Sequence, residues 1–288
     1  MASVHLSSAL KALIASPQAQ GGVIPAPSKA AATALFEGLA SSAQKHGLGT
    51  PAWLTLGSAA LVTLNSPDTL CALYSFARAR SEASERAARS VEYAGIMRET
   101  GLKTISFSGI PRAINNLGAL RAHIEQDVAS KLPTEPSRRL KPADVEAMLA
   151  RGDALWNGIY DPHSKKLLAK LAQSHPDLPV HILTSHYSHL LSDPPTSSRP
   201  AGAAKVGRIL TSVVAIACLR AQGGVGPQVT SHVFGLRKAA EEKLEGDEVI
   251  QGGDFLTSEE GAKWAIEQVD RFVEVLARGP SFATRAKL

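Results

Sequence analysis

The sequence predicts an all-α fold, and three observations carry that expectation. Apolar residues recur at helical spacing through most of the 288-residue chain, with little period-2 alternation. Ala and Leu, both strong helix formers, are abundant, whereas aromatic residues make up only 5%. Proline, serine and glycine recur at the positions that open and close helices.

The elements follow in order. HLSSALKALIA within 1–15 reads as a short helix. After the Gly/Pro loop 21–28, Ser28 can cap KAAATALFEGLASSAQKHG, which closes at Gly47 or Gly49. Thr50-Pro51 is a cap followed by proline at the first helical position, and it opens TPAWLTLGSAALVTLN. Ser66-Pro67-Asp68 repeats that signal ahead of one long helical stretch closing at Gly101. KTISFSG reads as a brief linker, and Pro111 falls in the first turn of PRAINNLGALRAHIEQDVASKL.

The Pro-rich, charged segment 133–143 (PTEPSRRLKPA) is the boundary candidate. It separates a helical half 1–132 from a helical half 133–288, which together can form one compact unit. The second half opens with PADVEAMLARGDALWNGIY, DPHSKKLLAKLAQSH and DLPVHILTSHYSHLLSD. The polar loop 194–205, the apolar run 206–221 and GPQVTSHVFGL at 226–236 come next. EEKLEGDEVIQGGDF is polar, and Ser258-Glu259-Glu260-Gly261 opens the last helix.

Composition bounds the function. Apolar residues are 44% and charged residues 20%, the usual mix for a globular domain with a real core. The net charge of +5 comes from Lys and Arg interleaved with Asp and Glu. With no basic run, nucleic acid is not an expected partner. No apolar run approaches the roughly 20 residues that span a bilayer, so no membrane partner is expected. The two cysteines, Cys71 and Cys218, are far apart in apolar surroundings, which fits neither a disulfide framework nor a metal site. Ala286-Lys287-Leu288 is similar to the Ser-Lys-Leu peroxisomal address, which in a eukaryotic source predicts a peroxisomal protein. Otherwise the expectation is cytoplasmic, and a mitochondrial presequence is weakly supported because residues 1–36 lack arginine.

A weak internal similarity links the two halves. SAALVTLNSPDTLCALYSFARA and VVAIACLRAQGGVGPQVTSHVFGLRKA each read as apolar helix, proline-containing break, second helix. Aligning Pro67 with Pro227 puts Cys71 on Ser231 and Ala72 on His232. The histidine therefore exists in one copy only.

Two stretches resemble the carboxymuconolactone decarboxylase and AhpD-like family. Gly109-Ile-Pro-Arg-Ala-Ile-Asn-Asn-Leu is similar to the family's glycine-proline-asparagine helix. HPDLPVHILTSHYSHLLSDPP, a loop, and GRILTSVVAIACLRAQGGVGPQVTSHVFGLRKA are similar to its second half. The resemblance covers roughly 50–125 and 174–240. It implies an AhpD-like bundle of helical-hairpin repeats, usually a trimer or hexamer, that works without a cofactor. His232 matches the family histidine and Arg208 the arginine of the preceding helix, while Gly109, Pro111 and Asn115 match the turn. Two departures matter. Ile209 stands where the family commonly has glutamate, and Gly223–Gln228 holds no Cys-x-x-Cys pair. A dithiol peroxidase needs that pair, because the thiolate is its nucleophile.

The candidate chemistry centres on His232 as acid/base with Arg208 as partner, the arginine binding a substrate carboxylate bidentately. The alternative is a hydrogen-bonded core histidine. Arg112, at a helix start, is a second candidate anion binder, and Asn115 and Gln228 complete the expected substrate contacts. His186 and His189 are three apart and share one helical face, whereas His181 points about 140° from His186 on a 3.6-residue helix. With His175 they fit solvated or capping roles better than a metal site. Glu82/Glu85 and Glu241/Glu242 read as solvated faces, and no phosphate-cradling loop or nucleophile elbow is present.

The expected function is a cofactor-free, carboxymuconolactone-decarboxylase-like lyase or isomerase on a small oxo-acid or lactone. One rival is a catalytically silent AhpD-like oligomeric binding or scaffold protein. The other is an antioxidant using Cys71 or Cys218.

Overall fold

A computed structural model describes residues 5–16, 23–240 and 250–277. The peroxisome-like tripeptide Ala286-Lys287-Leu288 and the pair Glu241/Glu242 lie outside the described residues. Among the described residues every regular element is helical, so the all-α class holds. No helix among them is long and apolar enough to cross a membrane.

The N-terminal segment α1 (Ser8–Ile14) buries no residue. α2 (Lys29–Lys45) starts as expected, with Ser28 Oγ accepting from Ala31 N at 3.2 Å. α3 (Thr50–Leu64) is capped by Gly49, so Thr50 is its first helical residue rather than its cap. The long stretch after Pro67 is two helices, α4 (Pro67–Ala79) and α5 (Arg86–Lys103). The intervening RSEASE contributes only one apolar residue, Ala83, so burial does not sustain the helix there. Nor does Gly101 end α5. A Cβ there would lie 2.7 Å from Leu117 Cδ2, so this glycine lets the next long helix approach closely. That helix, α7 (Ile110–His123), follows the short α6 (Ile105–Ser108). Gly109 between them has φ +85°, in the region that favours glycine.

After α8 (Gln126–Ala129) the chain crosses the proline-rich segment to α9 (Val145–Tyr160) and α10 (Ser164–Ser174). α11 (Asp177–His181) runs into a π-helix, Ile182–Leu191. α12 (Arg208–Gln222), α13 (Gly226–Lys238), α14 (Gly253–Leu256) and α15 (Glu259–Ala277) complete the chain. Ser258 Oγ caps α15 by accepting from Gly261 N at 3.0 Å.

α3 and α12 pack against each other at the centre, with nearly every residue buried. One hydrophobic cluster draws on α2 to α5, α7, α12, α13 and α15, crossing from one half of the chain to the other. Each fully buried leucine there, such as Leu54, Leu61 or Leu73, contributes on the order of 2 kcal/mol.

A smaller cluster joins Leu155, Trp156 and Ile159 of α9 to Tyr187 and Leu191 of the π-helix. The two helices meet backbone to backbone, since a Cβ on Gly152 would fall 2.0 Å from Ser188 Oγ.

Lys103 anchors this second layer to the core, although the sequence placed it at the edge of a linker. It is wholly buried, and its Nζ donates to Leu191 O, Val206 O and Thr211 Oγ1 at 2.6–2.8 Å. Asp193 Oδ1 pairs with it at 2.8 Å.

Candidate functional site

α12 begins on Arg208, and α13 begins near Pro227, so His232 lies about two turns into α13. Packing of α13 on α12 and α9 brings both side chains inside, at 3% and 4% exposure. Arg208 Nη1 donates to Ser212 Oγ at 2.6 Å, one turn along its own helix. Nη2 donates to Gly158 O at 3.1 Å and Gly235 O at 2.8 Å.

Those two carbonyls belong to the last turns of α9 and α13, where intrahelical donors run out. Gly158 O would look to residue 162, which is proline and has no N–H. Gly235 O would look to Ala239, whose N–H bonds to Leu236 O and Arg237 O. The guanidinium thus sits between two helix C-termini, whose partial negative charge it balances.

His232 is packed among aromatic side chains. Its Nε2 stands 3.3 Å from Tyr160 Oη, which is 3.0 Å from Tyr187 Oη. Phe107 meets the imidazole edge-on, with centroids 5.6 Å apart. Nδ1 is buried with no hydrogen-bond partner. Burial, followed by the nearby Arg208 charge, pushes the imidazole pKa down to about 4. Burial likewise raises the Tyr160 and Tyr187 phenols. At neutral pH the imidazole is therefore uncharged, so the cluster is a neutral base and two neutral phenols beside one cation.

The structure thus brings together His232 and Arg208 and adds Tyr160 and Tyr187, which sequence reasoning missed. Arg112 is held elsewhere. Its Nη1 donates to Thr63 O at 2.9 Å, a last-turn carbonyl of α3 whose intrahelical donor would have been Pro67. Asn115 Nδ2 donates to Asn65 Oδ1 at 3.2 Å, tying the exposed face of α7 to the left-handed Asn65 that ends α3. Gln228 lies exposed in the first turn of α13.

The histidine cluster disperses, with one correction. In the π-helical geometry residues five apart stack, so the His181 and His186 rings meet at 5.2 Å instead of diverging. His186 Nδ1 bonds Ser106 Oγ at 2.9 Å, while His189 Nε2 donates to Arg138 O at 2.7 Å. His175 Nδ1 accepts from Asp177 N at 3.1 Å. Among the described residues no group of three or more His, Cys, Asp or Glu could hold a metal ion.

Both thiols are buried and unpaired. Burial pushes Cys71 up to about 11, with Asp68 adding to it, and Cys218 up to about 12. Both stay protonated at neutral pH, which is the wrong state for a nucleophile.

Among the described residues, clefts of about 520, 630 and 250 Å³ open elsewhere. His232, Arg208 and Arg112 line none of them. No family model, curated protein or solved structure matches the chain.

Proposed function

We propose that the chain is a catalytically silent, AhpD-like binding or scaffold protein that works as an oligomer. In this reading His232 and Arg208 hold α9, α12 and α13 together. One observation carries it: the terminal nitrogens of Arg208 are engaged by Ser212 Oγ, Gly158 O and Gly235 O. An arginine so engaged cannot also clamp a substrate carboxylate without releasing two helix ends. The depressed imidazole agrees, since a proton donor to a carbanion must carry its proton at working pH.

The lyase or isomerase reading keeps one observation in its favour. A buried imidazole nitrogen without a partner, at the end of a phenol chain, is the kind of orphan that functional sites retain. It would act as a base and not as an acid.

Release of CO2 from a panel of γ-lactone and β-oxo acids separates the two readings. The expected result is no release above buffer for the wild type, with His232→Asn altering stability alone. Turnover by the wild type that His232→Asn abolishes would overturn the proposal. The localisation reading rests on Ala286-Lys287-Leu288 alone. It is tested by deleting Leu288 from a chain tagged at its N-terminus, where an unchanged peroxisomal distribution refutes it.

A further inference from the structure

The 520 Å³ cleft lies over α5 and α7, and its walls are the two polar segments around 133–138 and 194–204. Four arginines line it, Arg98, Arg121, Arg138 and Arg199, against two glutamates, Glu99 and Glu135. Their use is uneven. Arg138 forms a forked pair with Glu99, both side chains largely buried, and that pair consumes one of the two acids. Among the described residues the other three arginines have no carboxylate partner. Arg98 reaches only Pro133 O, through two contacts of 3.4 Å. Arg199 Nη2 donates to Thr196 Oγ1 at 3.3 Å. Arg121 makes no hydrogen bond or ion pair among the described residues. In addition, the Nε atoms of Arg138 and Arg199 are buried without an acceptor.

We infer that this cleft binds a small oxyanion, a carboxylate or phosphate group carried on an apolar body. The three guanidinium groups without an ion pair outnumber Glu135, the one carboxylate left on the wall, and an anion relieves their mutual repulsion. Guanidinium forks match the geometry of carboxylate and phosphate oxygens. Leu102, Leu117 and Pro200 provide the apolar wall. The volume is that of a metabolite-sized site. The neighbouring 250 Å³ cleft shares Arg138 and adds Arg139, Lys141 and Arg151, so the surroundings also draw anions in. No aromatic side chain lines the 520 Å³ cleft, as base stacking would need, which favours a small molecule over single-stranded nucleic acid.

The inference rests on the binding-protein reading for its purpose, but none of its residues touches His232, and the CO2 result stands whichever way this test falls. The full chain is titrated calorimetrically with inorganic phosphate and, separately, with citrate, at ionic strength held constant with NaCl. Saturable binding of at least one probe is expected, and the stronger of the two identifies the headgroup. Arg121→Gln combined with Arg199→Gln should weaken it about tenfold or more. Arg220→Gln, which removes an exposed arginine paired with Asp270 elsewhere, should leave it unchanged. Absence of saturable binding overturns the inference, as does equal affinity in the double variant or an equal loss in Arg220→Gln. Arg121 is exposed and unpartnered, so Arg121→Gln alone keeps the fold and must by itself lower the affinity measurably.

Discussion

Arg112 and Arg208 perform the same task in two different environments. Each donates to a last-turn helix carbonyl left without its intrahelical donor by a proline four residues further on, Thr63 O before Pro67 and Gly158 O before Pro162. Arg112 does so from the exposed face of α7, while Arg208 does so at 3% exposure and takes a second helix end with it. The comparison teaches that the value of such a cap depends on how deeply the arginine is buried and how many helix ends it holds. All three carbonyls belong to buried residues, so the difference lies in the arginine: Arg112 answers one helix end from the surface, whereas Arg208 answers two from inside the protein.

The sharpest way to break the comparison is to remove the buried arginine. Arg208→Ala leaves Ser212 and two helix-end carbonyls buried without donors, and should cost about 3–5 kcal/mol in denaturant unfolding. Arg208→Lys should recover only part of this, because a single ammonium does not span the three acceptors.

The second test uses pH. His232 is neutral in the folded state with its pKa lowered to about 4, while the unfolded chain protonates near 6.5. The unfolded state therefore binds more protons between those values, so stability rises with pH across the window and is lost as pH falls from about 6.5 towards 4. The loss is on the order of 3 kcal/mol, and His232→Phe should flatten that part of the profile. An unchanged slope in His232→Phe would assign the acid sensitivity to another group.

Gly235→Ala probes the same junction more gently. The added Cβ would stand 2.8 Å from Ile159 Cγ2 and push α13 off α9, at about 1–3 kcal/mol in thermal or denaturant unfolding. The smallest effect belongs to Arg112→Ala, about 1 kcal/mol, since it removes one hydrogen bond from an exposed side chain. A loss at Arg112 as large as that at Arg208 would erase the distinction that burial draws between them.

Part of the contact between α9, α12 and α13 could be read in the sequence, and the rest could not, for physical reasons. The Arg208 and His232 pair was singled out by a family resemblance, and not by spacing or periodicity. Tyr160 and Tyr187 reach His232 from far off in sequence, across a helix crossing that no local pattern encodes. Pro162 did carry a signal, since a proline four residues past Gly158 announces an orphan carbonyl, although the arginine that answers it lies 50 residues on. The π-helix escaped because its apolar pattern over ten residues also suits an α-helix, and its consequence was the meeting of His181 and His186. Gly101 read as a stop because an isolated glycine looks the same whether it ends a helix or admits a neighbour such as Leu117.

By itself, the sequence determined that this chain is helical, where most of its helices begin, and that no Cys-x-x-Cys pair precedes His232, because those depend on propensity, capping and residue identity close at hand. Only the tertiary structure decided that the imidazole is neutral, that Arg208 is committed to helix ends, that Lys103 is a buried anchor, and that four arginines share one cleft. Those are matters of burial and of long-range neighbours, and a side chain's charge acquires its meaning only once the groups that desolvate it and answer it are in place.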